Sequence, residues 1–447
     1  MGASVSPRRR REVIDALRRG TVPANGLDLL AVGLELMTPA LDADLDAVAA
    51  GGSAFKAIRG EYGAGKTFIT RYVAERALRR GFAAAEVQIS ETETPLHRLE
   101  TVYRRIGEAL RTAAFPPSAF RPVLDSWLFT LESDAASGNS NIGSPGPPGN
   151  DDAVVRLLER RLAAVSTQTP AFAQALRAYR AAAASGDTEN ADALAAWLGG
   201  QPHVAATAKR AAGVRGDLDH FGAMGFLQGL LTVLRDAGHP GLLLVLDEVE
   251  TLQRVRGDVR DKALNAIRQL IDEIDSGRYP GLFLVITGTP AFFDGPSGVP
   301  RLPPLAQRIA TDFSTDARFD NPRAVQLRLA GFDHSALVAL GVKVRDLFAE
   351  GASDPERVRR LVDDAYLSQL ATAVTGSLGG KVGIAPRVFL KKLVADVLDR
   401  VDQFLDFDPR KHYALTISAA ELSDVERNAA ALKSTPASTP DDVDLGL

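Results

Sequence analysis

The chain has 447 residues, with 52 Lys or Arg, 56 Asp or Glu and a formal net charge of -4. At roughly 150 residues per domain this length predicts two or three folding units, and the balanced charge excludes the strongly basic character of a dedicated nucleic-acid binder. The lack of cysteine excludes disulfide frameworks, zinc fingers and thiol nucleophiles. The 6 histidines show no ligand spacing, so we expect any metal ion to arrive with a bound ligand.

The sequence predicts neither a transmembrane helix nor a signal peptide. No apolar run approaches the roughly 18 to 20 residues that a transmembrane helix needs, and the opening residues, MGASVSPRRRR, lack the hydrophobic core of a signal peptide. We therefore expect a cytoplasmic location. Residues 8–19 predict a short amphipathic helix, with Val13, Ile14 and Leu17 on one face.

A strand, a glycine-rich loop and a helix follow in that order. Residues 54–59, AFKAIR, have the pattern of a strand, and they run directly into residues 60–67, GEYGAGKT. Apolar residues then recur at helical spacing until Gly81, which is a typical helix stop. Strand, loop and helix are therefore predicted to be continuous.

The next part of the chain is predicted to contain a strand and a large helical insertion. Residues 84–90 have a strand pattern, and Thr94 with Pro95 predicts the start of a helix, because threonine caps helices and proline favours their first position. Residues 133–152 are rich in Gly, Pro, Ser and Asn, which predicts a mobile loop. Residues 153–237 are alanine-rich and helical in pattern.

Further apolar runs predict the remaining strands. Residues 241–248 and 281–290 each contain a continuous apolar run, as strands buried on both faces of a parallel sheet do. Residues 324–329 predict a shorter strand. Because these strands alternate with helical patterns, we predict an α/β fold, with a parallel sheet between two layers of helices.

The chain is predicted to divide into four parts. The α/β core is followed by a smaller all-helical lid, and a helical lead-in and a largely disordered extension flank them. The predicted boundaries are 1–53 for the lead-in, 54–332 for the core, 333–407 for the lid and 408–447 for the extension.

The glycine-rich loop matches the pattern G-x-x-x-x-G-K-[ST] in full, between a predicted strand and a predicted helix. Glycines allow backbone N–H groups to converge on phosphate oxygens, and the following helix directs its positive end to the same place. Lys66 would contact the β and γ phosphates, and the Thr67 hydroxyl would bind Mg²⁺. The alternative is an ordinary turn before a helix. The predicted nucleotide-binding residues are Gly60, Glu61, Tyr62, Gly63, Ala64, Gly65, Lys66, Thr67 and Phe68.

Asp247 and Glu248 end the leucine-rich strand at the carboxyl edge of the predicted sheet. We predict that Asp247 holds Mg²⁺ and that Glu248 orients and deprotonates the attacking water. The alternative is an acidic cap of the next helix.

Three further residues have two open interpretations each. Thr287, after the next strand, would hydrogen-bond the γ-phosphate or the attacking water, or form part of a turn. Arg387 lies in the first turn of a predicted helix, where a cation is disfavoured, so it would either sense a γ-phosphate or pair with a local carboxylate. Arg308 would reach the nucleotide of a neighbouring subunit as an arginine finger, or remain a solvated surface residue.

These motifs resemble those of the AAA+ and STAND groups of P-loop ATPases. GEYGAGKT stands in the place of Walker A, LLLVLDE of Walker B, VITGT of sensor 1 and APR of sensor 2 on a helical lid. The resemblance implies a three-layer P-loop NTPase sandwich that binds ATP with Mg²⁺ and is an ATPase.

Longer stretches resemble the BrxD family of ATP-binding proteins from bacterial BREX (bacteriophage exclusion) defence islands. This resemblance implies a role in antiviral defence, other BREX proteins as partners, including a helicase-like component, and DNA or further copies of the chain as candidate partners. The similar stretches are RREVIDALRRGTVP, GLDLLAVGLE, FKAIRGEYGAGKTF, EVQISETETPLHRLETVYRRI and APRVFLKKLVADVLD.

The sequence thus predicts an ATPase whose nucleotide state changes the binding of a partner or of DNA. Two alternatives stay open at this point. One is a nucleotide-gated switch with little turnover, against which the presence of Glu248 argues. The other is an initiator-like ATPase that loads onto duplex DNA, for which salt-dependent DNA binding would be the test.

Overall fold

The centre of the molecule is a parallel sheet of five strands, described in a computed structural model that covers residues 5–136, 150–377, 386–417 and 422. The strand order is β2-β3-β4-β1-β5, and each neighbouring pair is parallel. The predicted parallel sheet is therefore confirmed. The strands are β1 (Ala54–Arg59), β2 (Ala83–Gln88), β3 (Leu242–Asp247), β4 (Leu282–Gly288) and β5 (Gln326–Arg328).

Helices make up most of the rest of the described chain, and many connect the strands or pack against the sheet. In the first half they are α1 (Pro7–Arg18), α2 (Met37–Ala49), α3 (Lys66–Arg79), α4 (Leu99–Ala109), α5 (Phe120–Ala136), α6 (Asn150–Gln168), α7 (Pro170–Ser185), α8 (Thr188–Leu198), α9 (Ala206–Ala211) and α10 (His220–Asp236). In the second half they are α11 (Gly257–Asp275), α12 (Pro290–Asp294), α13 (Pro303–Ile309), α14 (His334–Ala349), α15 (Pro355–Leu361), α16 (Asp364–Ser377), α17 (Pro386–Lys391), α18 (Asp399–Gln403) and α19 (Pro409–His412).

Both faces of the sheet are covered by helices. Successive residues of a strand point to opposite faces, so each strand contributes side chains to the packing on both sides. On β3, Leu243 and Val245 pack with α2 and α3, whereas Leu244 and Leu246 pack with the helical insertion and α11. All four side chains are buried. The continuous apolar run thus serves two cores at once, which gives the layered arrangement that the sequence predicted.

A third core joins the beginning of the chain to its C-terminal helices. Val13, Ile14 and Leu17 of α1 are buried together with apolar residues of α14, α16 and α17. The helix that we predicted as part of a lead-in therefore packs on the C-terminal helices. After α17 the helix continues in π-helical form over Lys392–Leu398.

The segments that follow neighbouring strands meet at the carboxyl edge of the sheet. The helix after β1, α3, packs on one face, whereas α12 and α13, after β4, contribute to the core on the other face. Because β1 and β4 are neighbours, the chain leaves them in opposite directions and opens a crevice between their ends. Such crevices are where α/β sheets bind ligands.

The helix predicted to begin at Thr94 and Pro95 begins instead at Leu99, so that prediction was wrong by about one turn. The hydroxyl of Ser90 accepts hydrogen bonds from the backbone N–H groups of Glu93 and Thr94, at 3.1 and 2.9 Å. The backbone N–H of Thr94 is therefore hydrogen-bonded within a local turn and not at the start of a helix. The threonine–proline pair is therefore part of a loop.

The mobile loop predicted over 133–152 overlaps helices at both of its ends. Residues up to Ala136 continue α5 and those from Asn150 belong to α6, so the prediction was wrong at both margins. Its central part, 137–149, lies outside the described residues, as does most of the predicted largely disordered extension over 408–447, of which residues 408–417 and 422 are described. Among the described helices, none is long and apolar enough to cross a membrane.

Candidate phosphate-loop site

A cavity of about 690 Å³ lies at the carboxyl edge of the sheet, between the α/β core and the C-terminal helices. It is lined by residues 62–68 of the glycine-rich loop, by Asp247 and Glu248 after β3, and by Arg387 of α17. Residues separated by more than 300 positions along the sequence therefore face one space. The cavity extends to the segment between α1 and α2, which contributes Val22 and Leu34.

The glycine-rich loop has the backbone geometry of an anion site. Gly63 and Gly65 adopt φ angles of 81° and 94°, a region in which side chains other than glycine are strained. Gly65 directly precedes α3, whose first turn carries neither an acidic residue nor a side-chain cap. The N–H groups of that turn are thus left for a ligand, and the helix dipole favours a negative one.

The Lys66 side chain is folded back into the loop, with only 8% of the residue exposed. Its Nζ donates a hydrogen bond of 3.0 Å to the carbonyl oxygen of Gly60 and lies 3.5 Å from that of Glu61. It also lies 4.9 Å from the ring centre of Tyr62 and 3.5 Å from Oε1 of Glu250. The ammonium group thus lies inside the loop, where it would contact a phosphate group bound there.

Asp247 and Thr287 meet across the ends of β3 and β4. Leu246 and Ile286 are register partners, which places the next residues of the two strands side by side. The fully buried Thr287 hydroxyl donates a hydrogen bond to Oδ1 of Asp247. The backbone N–H of Glu248 bonds both Asp247 Oδ1 and Thr287 Oγ1, each at 3.1 Å. Thr287 therefore orients the carboxylate.

Glu248 lies on a sharp turn that is unusual for its residue type. Its φ and ψ of 59° and 42° are left-handed, a conformation that costs about 1 to 3 kcal/mol for a residue other than glycine. Such strain is concentrated at functional sites. The side chain is half-buried, and its Oε2 accepts a hydrogen bond of 2.9 Å from the amide of Gln88 at the end of β2.

The two predicted arginines have different surroundings. Arg387, the second residue of α17, lines the cavity from the lid side. Arg308 lies away from the cavity, on α13, where its guanidinium pairs with Asp272 of α11 and donates a 2.7 Å hydrogen bond to the carbonyl of Pro304. Within this chain Arg308 therefore joins two helices, and its predicted action on a neighbouring subunit stays a prediction.

Two polar residues of the site were missed by the sequence analysis. Gln88 was counted only as part of a strand, although it is the polar end of β2 and the register partner of Asp247. Glu250 is the third acid of the run that starts at Asp247, and it is 4% exposed. Its burial raises its pKa, against which the charge of Lys66 acts. Polarity at a strand end was the signal that would have found Gln88.

These residues fit a nucleotide with a magnesium ion. The uncapped start of α3 and Lys66 supply positive groups for phosphate oxygens. Thr67 and Asp247, which line the same cavity, supply the hydroxyl and carboxylate oxygens that Mg²⁺ prefers. The bound ion would neutralise charge on the phosphates and polarise them.

A parallel sheet with a lysine-bearing glycine loop between β1 and α3 has the layout of a P-loop nucleotide-binding protein. The family described as BREX system ATP-binding protein BrxC/D matches residues 5–417. The chain therefore belongs to this family, which makes it an ATP-binding component of a BREX system. No curated protein and no solved structure matches the chain.

Proposed function

We propose that this chain binds ATP with Mg²⁺ and hydrolyses it, as a BrxD-like P-loop ATPase of the AAA+ and STAND group. The loop from Gly60 to Phe68 binds the phosphates, with Lys66 at the β and γ groups. Thr67 and Asp247 hold the magnesium ion. Glu248 orients the attacking water and accepts its proton.

The observation that carries the proposal is the cavity shared by the loop, Asp247, Glu248 and Arg387. A phosphate-binding loop alone would account only for nucleotide binding. A pair of carboxylates that faces the same cavity can also hold a metal ion and act as a base, as hydrolysis requires. The Thr287 hydroxyl supports this assignment, because it fixes the Asp247 carboxylate.

The output of the cycle is a change in the position of the helical lid. Arg387 comes from the lid side and faces the phosphate loop, so a γ-phosphate between them would draw the two parts together. We propose that this movement alters the binding of another BREX protein or of DNA. Nucleotide-dependent changes in binding to those partners are the corresponding measurement.

The test is nucleotide binding and phosphate release by the full chain and two variants. We expect Lys66→Ala to weaken binding of ATP by more than about tenfold, since it removes a charge-assisted phosphate contact. We expect Glu248→Gln to keep the affinity within about twofold and to slow phosphate release by at least about a hundredfold. Glu91→Gln, which removes an exposed carboxylate after β2, is the matched control and should change neither.

Two results would overturn the assignment at different levels. If the folded chain binds no nucleotide in the presence of magnesium, the whole proposal fails. If Glu248→Gln releases phosphate at the unmodified rate, Glu248 is not the base.

A nucleotide-gated switch with little turnover is the second candidate. The hydrogen bond from Gln88 to Glu248 favours it, because it holds the carboxylate against the end of β2. This candidate predicts tight ATP binding and phosphate release slower than about one per minute without a partner, compared with the 1 to 10³ s⁻¹ that is typical of enzymes. Single-turnover measurements distinguish the two.

A further inference from the structure

A buried carboxylate beneath the phosphate loop has no role in the reaction scheme above. Glu250 lies in a short 3-10 turn, Val249–Arg254, directly after Glu248. It is 4% exposed, and neither of its carboxylate oxygens accepts a hydrogen bond from the described residues. The closest cationic group recorded for it is Nζ of Lys66, 3.5 Å from Oε1.

The contact is a pair of buried charges. Lys66 is 8% exposed, and its remaining contacts in the loop are the carbonyl oxygens of Gly60 and Glu61 and the ring of Tyr62. A buried carboxylate without hydrogen bonds is costly unless a cation lies beside it. Lys66 is therefore what makes the charge of Glu250 tolerable in the nucleotide-free chain.

The same pairing opposes phosphate binding. A negative charge next to Lys66 lowers the positive potential of the loop and repels the β and γ phosphates at short range. A site built only for tight binding would gain by having a neutral side chain at this position. Glu250 is buried and does not line the cavity, in contrast with the half-buried Glu248.

We propose, on the basis of the function proposed above, that Glu250 competes with the nucleotide phosphates for Lys66 and thereby sets nucleotide affinity. Without nucleotide, Lys66 pairs with Glu250. When a nucleotide enters, the ammonium group exchanges part of this pairing for phosphate oxygens, and when the product leaves, Glu250 takes it back. Glu250 thus weakens the binding of ATP and ADP and speeds the release of ADP.

The decisive variant is Glu250→Gln, which removes the charge and keeps the size of the side chain. We expect the Kd for ATP and for ADP to fall by about tenfold, and the release of a fluorescent ADP analogue to slow by a similar factor. A residue with a merely structural role would give the opposite sign, because disturbing the loop weakens binding. Glu91→Gln is the matched control for the loss of one negative charge and should leave both Kd values unchanged.

A second measurement tests the ion pair without any nucleotide. Lys66→Met leaves Glu250 buried without a counter-charge, so we expect a lower melting temperature for the nucleotide-free chain. Adding Glu250→Gln to Lys66→Met should restore most of that loss. Lys66→Met does not carry the Glu250 substitution, so its melting temperature can be measured even if Glu250→Gln folds poorly.

The outcomes separate the two proposals. If the unmodified chain binds nucleotide and Glu250→Gln binds it equally or more weakly, the competition is overturned while the proposed function stands. If the unmodified chain binds none, the proposed function falls, and the competition with it. If the double variant melts no higher than Lys66→Met, the two residues are not paired and the inference is overturned.

Discussion

The side-chain amide of Gln88 donates a hydrogen bond of 2.9 Å to Oε2 of Glu248, so the end of β2 holds the carboxylate that follows β3. Glu248 has a left-handed backbone and a half-buried side chain. The amide, which is itself exposed, holds the Glu248 side chain against the end of β2. The position of the proposed base is therefore set by a neighbouring strand.

Removing the Gln88 amide tests its effect on ATP turnover and should leave the affinity for ATP nearly unchanged. If the amide orients Glu248 for proton transfer, as the hydrolysis proposal requires, Gln88→Ala should reduce kcat by about three- to tenfold, whereas the switch candidate expects this variant to raise kcat. The Kd for ATP should stay within about twofold of the unmodified value. Steady-state phosphate release and equilibrium binding check this. An unchanged or higher kcat would mean that the amide restrains Glu248 in an inactive position.

Replacing Thr287 with Val should disturb the magnesium site. Val keeps the shape of Thr but cannot donate to Asp247 or accept from the N–H of Glu248. We expect a loss of about 1 to 2 kcal/mol in the free energy of unfolding, typical of buried groups left without a partner. We also expect half-maximal activity at several-fold higher Mg²⁺. Thr287→Ser keeps the hydroxyl and should behave as the unmodified chain; a Mg²⁺ dependence that Val leaves unchanged would contradict the assignment.

Arg387 should distinguish ATP from ADP. Because its side chain faces the cavity from α17, we expect it to contact the phosphate that only ATP has. Arg387→Ala should raise the Kd for ATP by about tenfold, the size expected for a charge-assisted contact, and leave the Kd for ADP nearly unchanged. Titration with both nucleotides measures this. Equal losses for the two would show that Arg387 supports the lid rather than sensing the γ-phosphate.

Glu75 of α3 should be one of the more sensitive residues for stability. It is 8% exposed and accepts hydrogen bonds of 2.9 Å from each of the backbone N–H groups of Gly26 and Leu27, together with ion pairs from Arg9 and Arg79. Glu75→Gln should lower the free energy of unfolding by about 2 to 4 kcal/mol, since it breaks a buried charged network.

Urea unfolding measures this loss, and Glu12 offers the control. Glu12 pairs with Arg8 one turn away on the exposed face of α1, at 2.9 Å. Glu12→Gln should cost no more than about 0.5 kcal/mol, as exposed helical pairs do. A loss at Glu75 as small as that at Glu12 would show that the network does not stabilise the fold.

Local sequence patterns predicted the parts of the fold in which neighbouring residues decide the structure. The strand β1, the loop and α3 form a continuous stretch, and the leucine run of β3 is buried on both faces as expected. The predicted start of α4 was wrong because the carbonyl of Thr94, which would accept the first hydrogen bond of such a helix, accepts instead from the backbone N–H of Ser90 at 3.2 Å. This competition between a turn and a helix is visible only in three dimensions.

Long-range relationships could not be predicted in the same way. The apolar stripe of α1 shows that one face is buried, but it does not show that α14 and α17 cover it. The sequence likewise placed Glu250 in an acidic run without indicating that the 3-10 turn directs it beneath Lys66. Burial of a polar residue depends on the tertiary path of the chain, which has no local pattern.

The packing of α1 on the C-terminal helices has a consequence for synthesis. Val13, Ile14 and Leu17 leave the ribosome early, whereas the helices that bury them, α14 and α16 to α18, are translated last. At about 5 to 20 residues per second the apolar face of α1 stays without its native cover for tens of seconds. Burial of this apolar face therefore waits until the helices from α14 onward have left the ribosome, and chains shortened before α14 should leave Val13, Ile14 and Leu17 exposed.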